Sequence, residues 1–213
     1  MHDFRVEAPF AGPVRGLSAL AHEAAPCPPR WLKQVHGAGV LHLDEWRAGV
    51  EADAAWTDVP GQVAAVRTAD CVPILLADPE CRYVAAIHAG WRGLAKGVIA
   101  RTVDALPAAP ATSRAWIGPC IRQPSYEVGR DVRDALSNFE TAFAPGRPGH
   151  WMADLAAIAA RQLVDAGVVS IDDCGLCTAT DPRLPSHRRD GSKTRLATMI
   201  WIECDRPGMP HPG

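Results

Sequence analysis

Three short segments of this 213-residue chain bring side chains able to hold a metal to the ends of apolar runs. Residues 33–37 read Lys-Gln-Val-His-Gly, 68–73 read Thr-Ala-Asp-Cys-Val-Pro, and 86–93 read Ala-Ile-His-Ala-Gly-Trp-Arg-Gly. Each delivers one ligand-type residue, His36, Cys71 or His88, to a turn flanked by small residues or proline. Loops on a rigid sheet are where catalytic groups tend to sit. Two imidazoles and one thiolate leave the fourth position of a tetrahedral zinc open to water or substrate, which separates a catalytic ion from a closed structural one. The thiolate selects zinc or copper over magnesium or calcium. Residue types alone leave other readings open. Each histidine could be a hydrogen-bonded structural residue, and Cys71 a small buried hydrophobe. Cys71 and His88 could form a thiolate–imidazole hydrolase dyad with an acid orienting the histidine. A metal could also stabilise a binding module that turns nothing over.

The elements that must position these residues read mainly as strands. Short, often β-branched runs bounded by Gly, Pro or Asp predict strands at Trp31–Val35, Val40–Leu43, Val63–Arg67, Val72–Ala77, Tyr83–Ile87, Ala115–Ile117, Val168–Ile171 and Leu196–Ile202. Val132, Ala135, Leu136 and Phe139 fall on one face of a helix after Gly129. Asp154 caps a second helix, carrying Leu155, Ile158, Ala159 and Leu163 and stopped by Gly167. A third runs from after Gly93 to about Leu106, with Val98, Ile99 and Val103 inward. Strands outnumber helices without a regular alternation, so the expected class is α+β: a mixed sheet core with helices packed on it. Residues 1–213 are expected to form one domain, with 206–213 a flexible tail.

Bulk properties narrow the function. A formal net charge of −2 with interspersed signs offers no basic face for nucleic acid, and the longest apolar runs fall short of a membrane span. Seven cysteines without the spacing of a small secreted domain suit a reducing compartment, and the N-terminus lacks a signal peptide's apolar run. A cytoplasmic protein, monomer or homodimer, is expected. Cys174 and Cys177 form a Cys-x-x-Cys with no second pair to complete a zinc ribbon, so they read as structural, as does Cys120.

The wording of the motifs resembles the YfiH-type laccase-domain family. The resemblance lies in Gln34-Val35-His36-Gly37, Thr68-Ala69-Asp70-Cys71-Val72-Pro73 and His88-Ala89-Gly90-Trp91-Arg92-Gly93. It continues through Gly118-Pro119-Cys120-Ile121, Tyr126-Glu127-Val128-Gly129 and Ser186-His187-Arg188-Arg189-Asp190, in the family's order. It implies that His36, Cys71 and His88 are the metal ligands, with zinc as the ion and copper as the alternative. It also implies a zinc-dependent purine nucleoside phosphorylase acting on adenosine, inosine, guanosine or methylthioadenosine with phosphate, and adenosine deamination besides. The alternatives are a copper-dependent polyphenol oxidase and a Cys–His hydrolase that edits peptidoglycan precursors. Too few histidines occupy motif positions for the trinuclear cluster of a multicopper laccase.

Within that chemistry a carboxylate must move protons or orient a histidine; Asp70 and Glu127 are the candidates, and Asp70 is the expected residue, acting with Cys71 and His88, unless it only caps the turn before Val72. Trp91 is expected beside a flat purine ring, and Glu127, Arg92 and Arg188 as further substrate contacts, the guanidiniums on phosphate or ribose oxygens. Two features depart from the family. No Thr-Arg-x-Gly-Gly-like segment is evident ahead of Trp31, and Lys193-Thr194-Arg195 stands where the family reads Thr-Gly-Arg. Both bear on the substrate pocket rather than on the metal ligands.

Overall fold

In a computed structural model, residues 4–20, 25–107 and 109–203 are described. In chain order the elements are β1 Arg5–Glu7, β2 Val14–Ala19, β3 Val40–His42, β4 Ala54–Thr57, β5 Ala64–Thr68, β6 Val72–Ala77 and β7 Val84–Ala89. Then come α1 Trp91–Ala95, α2 Val98–Ala105, β8 Arg114–Ile117, β9 Glu127–Val128, α3 Arg130–Ala135, β10 Phe143–Pro145 and β11 Trp151–Ala153. The chain closes with α4 Leu155–Asp165, β12 Ser170–Asp173, α5 His187–Asp190 and β13 Leu196–Ile202. The expected tail 206–213 lies outside the described residues.

Two main sheets stack on one another. A six-stranded mixed sheet runs β12-β8-β6-β7-β4-β3, parallel only at its two edge pairs, and a four-stranded antiparallel sheet runs β1-β2-β13-β5. One face of the larger sheet (Ile74, Leu76, Ala85, Ile87) packs on Leu94, Val98 and Ile99 of the first two helices and on Leu155, Ile158 and Leu163 of α4. Its other face (Leu75, Val84, Ala86) packs on Val66, Ile200 and Ile202 of the smaller sheet. Both faces being covered, β6 and β7 are buried along their whole length. The result is a helix–sheet–sheet stack, the expected α+β class. No described helix is long and apolar enough to cross a membrane.

Differences from expectation have local causes. Trp31–Val35 is not a strand and contributes only a bridge at Lys33. The Val35 N–H bonds a carboxylate, and the chain then turns through a positive φ at His36. The helix expected from Gly93 to Leu106 is two helices, because Gly97 takes φ +74° between them, a conformation glycine adopts without a Cβ penalty. The helix after Gly129 ends at Ala135, and Phe139 has a non-helical backbone. Ser137 and Asn138 follow it, residues whose side chains compete for backbone hydrogen bonds. The α4 helix matches its expectation: the Asp154 carboxylate accepts the Ala157 N–H at 2.9 Å.

These features rank the stabilising contributions. Ile74→Ala, in the strand covered on both faces, should cost about 2–5 kcal/mol, and Asp154→Ala, which deletes one cap bond, about 1 kcal/mol. Urea unfolding followed by circular dichroism reads both; equal losses would mean that the sheet stack does not dominate stability.

Candidate metal centre

Strand register assembles the site. In the antiparallel β6–β7 pair Val72 faces Ala89, so the next step outward sets Cys71 against Gly90. In the β4–β7 pair Ala54 faces Ile87, so Asp53 stands opposite His88, and the His88 N–H bonds the Asp53 carbonyl at 2.7 Å. His36 arrives on the loop ahead of β3. Its Nε2 lies 3.8 Å from the Cys71 Sγ, and its ring meets that of His88 edge-on with centroids 4.8 Å apart. The ligand atoms of His36, Cys71 and His88 all lie within 4.8 Å of one another, and no other such cluster of three or more donors occurs among the described residues.

Asp53 holds two of the three candidate ligands at once. Fully buried, its Oδ1 accepts from His88 Nδ1 at 2.8 Å and from the His36 N–H at 2.9 Å. Its Oδ2 accepts from the N–H groups of Gly37 at 2.6 Å and Val35 at 3.3 Å. With Nδ1 occupied, the His88 Nε2 is the nitrogen left to a metal, the usual division of labour on a ligating imidazole. Asp53 was absent from the expected site. The signal for it was the strand Ala54–Thr57 behind it, which alanine-rich composition concealed.

Close packing and strained backbone surround the donors. A Cβ at residue 90 would stand 3.0 Å from both the Cys71 Sγ and the His36 ring, so glycine there is what admits the sulfur and the imidazole. His36 and Asp70 hold φ of +55° and +90°, conformations costing on the order of 1–3 kcal/mol each that persist where the surroundings over-determine them. Zn–S of about 2.3 Å and Zn–N of about 2.0 Å at a tetrahedral angle require S and N about 3.5 Å apart, close to the 3.8 Å present. The donor set fits a zinc ion with one position open.

Electrostatics pre-charge the cluster. Burial pushes the Cys71 thiol up, but hydrogen bonds and charge from His36 and His88 outweigh it and bring it down to about 6. Burial pushes His88 down, and Asp53 together with the Cys71 thiolate outweighs that and raises it to about 9. Burial pushes the Asp53 carboxyl up, yet His88 and the N–H groups of Gly37 and Val35 hold it below the usual carboxylate range. Without metal the neutral-pH state is therefore a thiolate beside an imidazolium.

The cluster forms part of a cleft of ≈ 680 Å³ whose wall also includes Arg67, Thr68, Tyr126, His187, Arg188, Lys193 and Arg195. The other expected residues are distributed unevenly. Asp70 borders the cleft, but its carboxylate is committed, with Oδ1 accepting from the Thr178 hydroxyl at 2.6 Å and Oδ2 from the Arg188 N–H at 2.7 Å. The carboxylate that bonds His88 is that of Asp53, while Asp70 ties the Arg188 segment to the Cys71 turn. Arg188 lines the cleft, with its guanidinium 4.8 Å from the Tyr126 ring and Nη1 donating to the Glu127 carbonyl. The Glu127 carboxylate instead pairs with Arg147 at 2.8 Å, outside the cleft lining. Trp91 and Arg92 also lie outside it, stacked on each other at 4.2 Å. Cys120 and Cys177 pair in an isolated parallel backbone bridge, and both thiols are free.

Two tests follow from this geometry. A metal needs the thiolate and a neutral His88, so between pH 6 and 9 binding displaces one proton from this pair, and below 6 it displaces two. Zinc affinity should therefore rise about tenfold per pH unit from pH 6 to 9 and more steeply below 6. Competition titrations at several pH values check this, and a flat profile would refute the thiolate–imidazolium pair. Asp53→Asn should weaken zinc binding about 10–100-fold. Unchanged affinity in the folded variant would remove Asp53 from the site.

A family model described as multi-copper polyphenol oxidoreductase laccase matches residues 15–203. A protein of Xylella fastidiosa (strain 9a5c) named purine nucleoside phosphorylase is 46% identical over 192 residues, covering 84% of this chain and 74% of that protein. Purine nucleoside phosphorylase YfiH of Escherichia coli (strain K12) is 40% identical over 182 residues, covering 83% and 75%. Among solved structures, Neisseria meningitidis protein NMB0706 superposes with a TM-score of 0.87 at 31% identity, covering 94% of this chain and 99% of that one. YlmD from Geobacillus stearothermophilus gives 0.81 at 26% identity, covering 92% and 94%. With the family model spanning nearly all of the described chain, and relatives this similar over most of their length, the protein belongs to the YfiH-type laccase-domain family.

Proposed function

We propose that the protein is a zinc-dependent purine nucleoside phosphorylase working in the cleft above His36, Cys71 and His88. The observation that carries this reading is one open three-donor cluster sharing a cleft with Arg67, Arg188, Lys193 and Arg195. A metal position beside a cation-lined wall suits an anionic co-substrate meeting a neutral one. Relatives named purine nucleoside phosphorylase supply the substrate class. In the reaction a phosphate oxygen bonds to ribose C1′, the C1′–N9 bond breaks, and the base leaves with the electron pair and a proton. The products are the free purine and ribose 1-phosphate.

Zinc, when bound, supplies Lewis-acid stabilisation of developing negative charge. The chain's own residues do the rest. The cationic wall holds phosphate against the sugar, which converts part of the entropic barrier into binding. Asp53 keeps His88 in one tautomer. Burial, reinforced by the Cys71 charge, pushes the Tyr126 hydroxyl up to about 12, so it remains an O–H donor at neutral pH within the cleft. Adenosine deamination at the same centre would need water in place of phosphate.

Two other chemistries stand as alternatives. A multicopper oxidase needs further copper ligands, and of the other described histidines His42 pairs with Asp58 and His150 bonds Pro148, which leaves His187 alone in the cleft, too few for a trinuclear cluster. The Cys71–His88–Asp53 chain has the order of a thiol hydrolase, and this second reading is favoured if Cys71 is free of metal.

Zinc-loaded protein incubated with adenosine, with and without phosphate, decides between them. Adenine formed only with phosphate, and lost in Cys71→Ser, is the expected result; inosine would mean deamination. No product from folded, zinc-containing protein would overturn the proposal. Alkylation of Cys71 by iodoacetamide separates the hydrolase reading: zinc should protect the sulfur, and equal labelling with and without zinc would favour a free nucleophile.

A further inference from the structure

We infer that Arg67, Arg195 and Lys193 form the anion-binding wall of the cleft and take the phosphate group, a role the motifs had pointed toward Arg92 and Arg188. This rests on the cleft being the reaction site and goes further by naming the residues that recognise the co-substrate.

Register places them together. Strands β5 and β13 pair antiparallel with Arg67 opposite Ala197 and Thr68 opposite Leu196, so one further step sets Ala69 opposite Arg195. Arg67 and Arg195 are thus diagonal neighbours on one sheet face, with Cα atoms about 7–8 Å apart. The residue between them on that face is Ala69, whose methyl leaves the space open. Lys193 lies two residues before Arg195, and all four residues line the cleft.

Each end of this wall is fixed. The Gln34 amide meets the free edge of β5 and bonds Arg67 twice, accepting its N–H and donating to its carbonyl, both at 2.8 Å. The Arg67 guanidinium rests over the Trp31 ring at 4.8 Å. Arg195 spends Nη1 on the carbonyls of Ser192 at 2.6 Å and Thr194 at 2.9 Å, which anchors its plane within its own loop. Neither guanidinium nor the Lys193 ammonium has a carboxylate partner among the described residues. The one carboxylate in the lining, Asp70, already has both oxygens bonded. Thr68, 1% exposed and in the same wall, has a hydroxyl without a partner among the described residues.

Preorganised guanidiniums with no acid to neutralise them match a tetrahedral oxyanion, which they bind through paired N–H donors. Arg92 is a poorer candidate, since its guanidinium lies over Trp91 and does not line the cleft. Arg188 is a poorer candidate, since Nη1 already serves the Glu127 carbonyl and its guanidinium lies over Tyr126.

The test is calorimetric titration of zinc-loaded protein with inorganic phosphate, alongside steady-state kinetics in phosphate and nucleoside. Arg67→Met and Arg195→Met should each weaken phosphate binding about tenfold or more. They should raise KM for phosphate while leaving KM for nucleoside and the zinc content unchanged. Arg195→Lys should recover part of the loss, and exposed Arg130→Met should change nothing. Wild-type protein that binds no phosphate, or folded Arg67→Met and Arg195→Met variants with wild-type phosphate affinity, would overturn the inference. The two proposals fail separately. Phosphate binding that depends on the wall, in protein without phosphorolysis, sinks the phosphorylase reading alone. Phosphate-dependent turnover with KM for phosphate unmoved in the variants sinks the wall alone.

Discussion

The Asp53 carboxylate is the constraint on which the rest of the site depends. It stands fully buried at the mouth of β4 and is met by four donors from two different parts of the chain: the His88 ring and the N–H groups of Val35, His36 and Gly37. A carboxylate in a low-dielectric position is costly unless its lone pairs are filled. The 35–37 loop is therefore held against β4 by the need to keep this charge satisfied. That requirement bends the chain through a left-handed residue at His36 and brings an imidazole from a loop to an imidazole on a strand. The same carboxylate fixes the tautomer of one ligand and the backbone of the other, so ligand geometry and loop conformation are one property.

A second buried carboxylate plays the matching part on the other side of Cys71. Asp70 turns through a positive φ, and its oxygens reach Thr178 and the N–H of Arg188. Two acids thus bracket the centre, one tying the His36 loop to the sheet and the other tying the Arg188 segment to the Cys71 turn. Neither is free to serve as an exposed proton shuttle. Besides the three donors, the cleft is lined by a neutral phenol, the His187 imidazole and a set of cations. A site built this way is suited to stabilising negative charge.

The legibility of the site in the sequence was uneven for physical reasons. The three donors were readable because each stands in or beside an apolar run, and Val72–Ala77 and Leu196–Ile202 were readable in full because both are apolar apart from Thr198. Asp53 was not, since Ala54-Ala55-Trp56-Thr57 contains two alanines, poor strand formers by composition, and only the β4–β7 register reveals that an acid stands across from His88. Trp31–Val35 looked like a strand by residue type, yet its donors are claimed by a distant carboxylate, a tertiary demand that no local pattern carries. Gly97 in a helical run showed where the α1–α2 break falls only once its φ was known. Trp91 and Arg92 share a motif with His88 but occupy the first turn of α1, which points them away from the cleft that His88 enters. Adjacency along the chain was the wrong guide to adjacency in space.

Arg67 and Arg195 show the converse, being 128 residues apart in the chain and neighbours on one sheet face. The Lys193-Thr194-Arg195 segment lacks the glycine of the family pattern, yet alternation along the approach to β13 still sends residues 193 and 195 to the cleft side while Leu196 is buried. Without the glycine the cation at 195 still stands in register. The Gln34 amide, bonded to both sides of the Arg67 peptide unit, takes the place of a strand at the edge of β5. Through it the loop that carries His36 also sets the height of Arg67. One short motif, Gln34-Val35-His36-Gly37, thereby joins the metal ligands to the cationic wall. A change in the position of the 34–37 loop must move both together, which couples the donor cluster to the cationic wall.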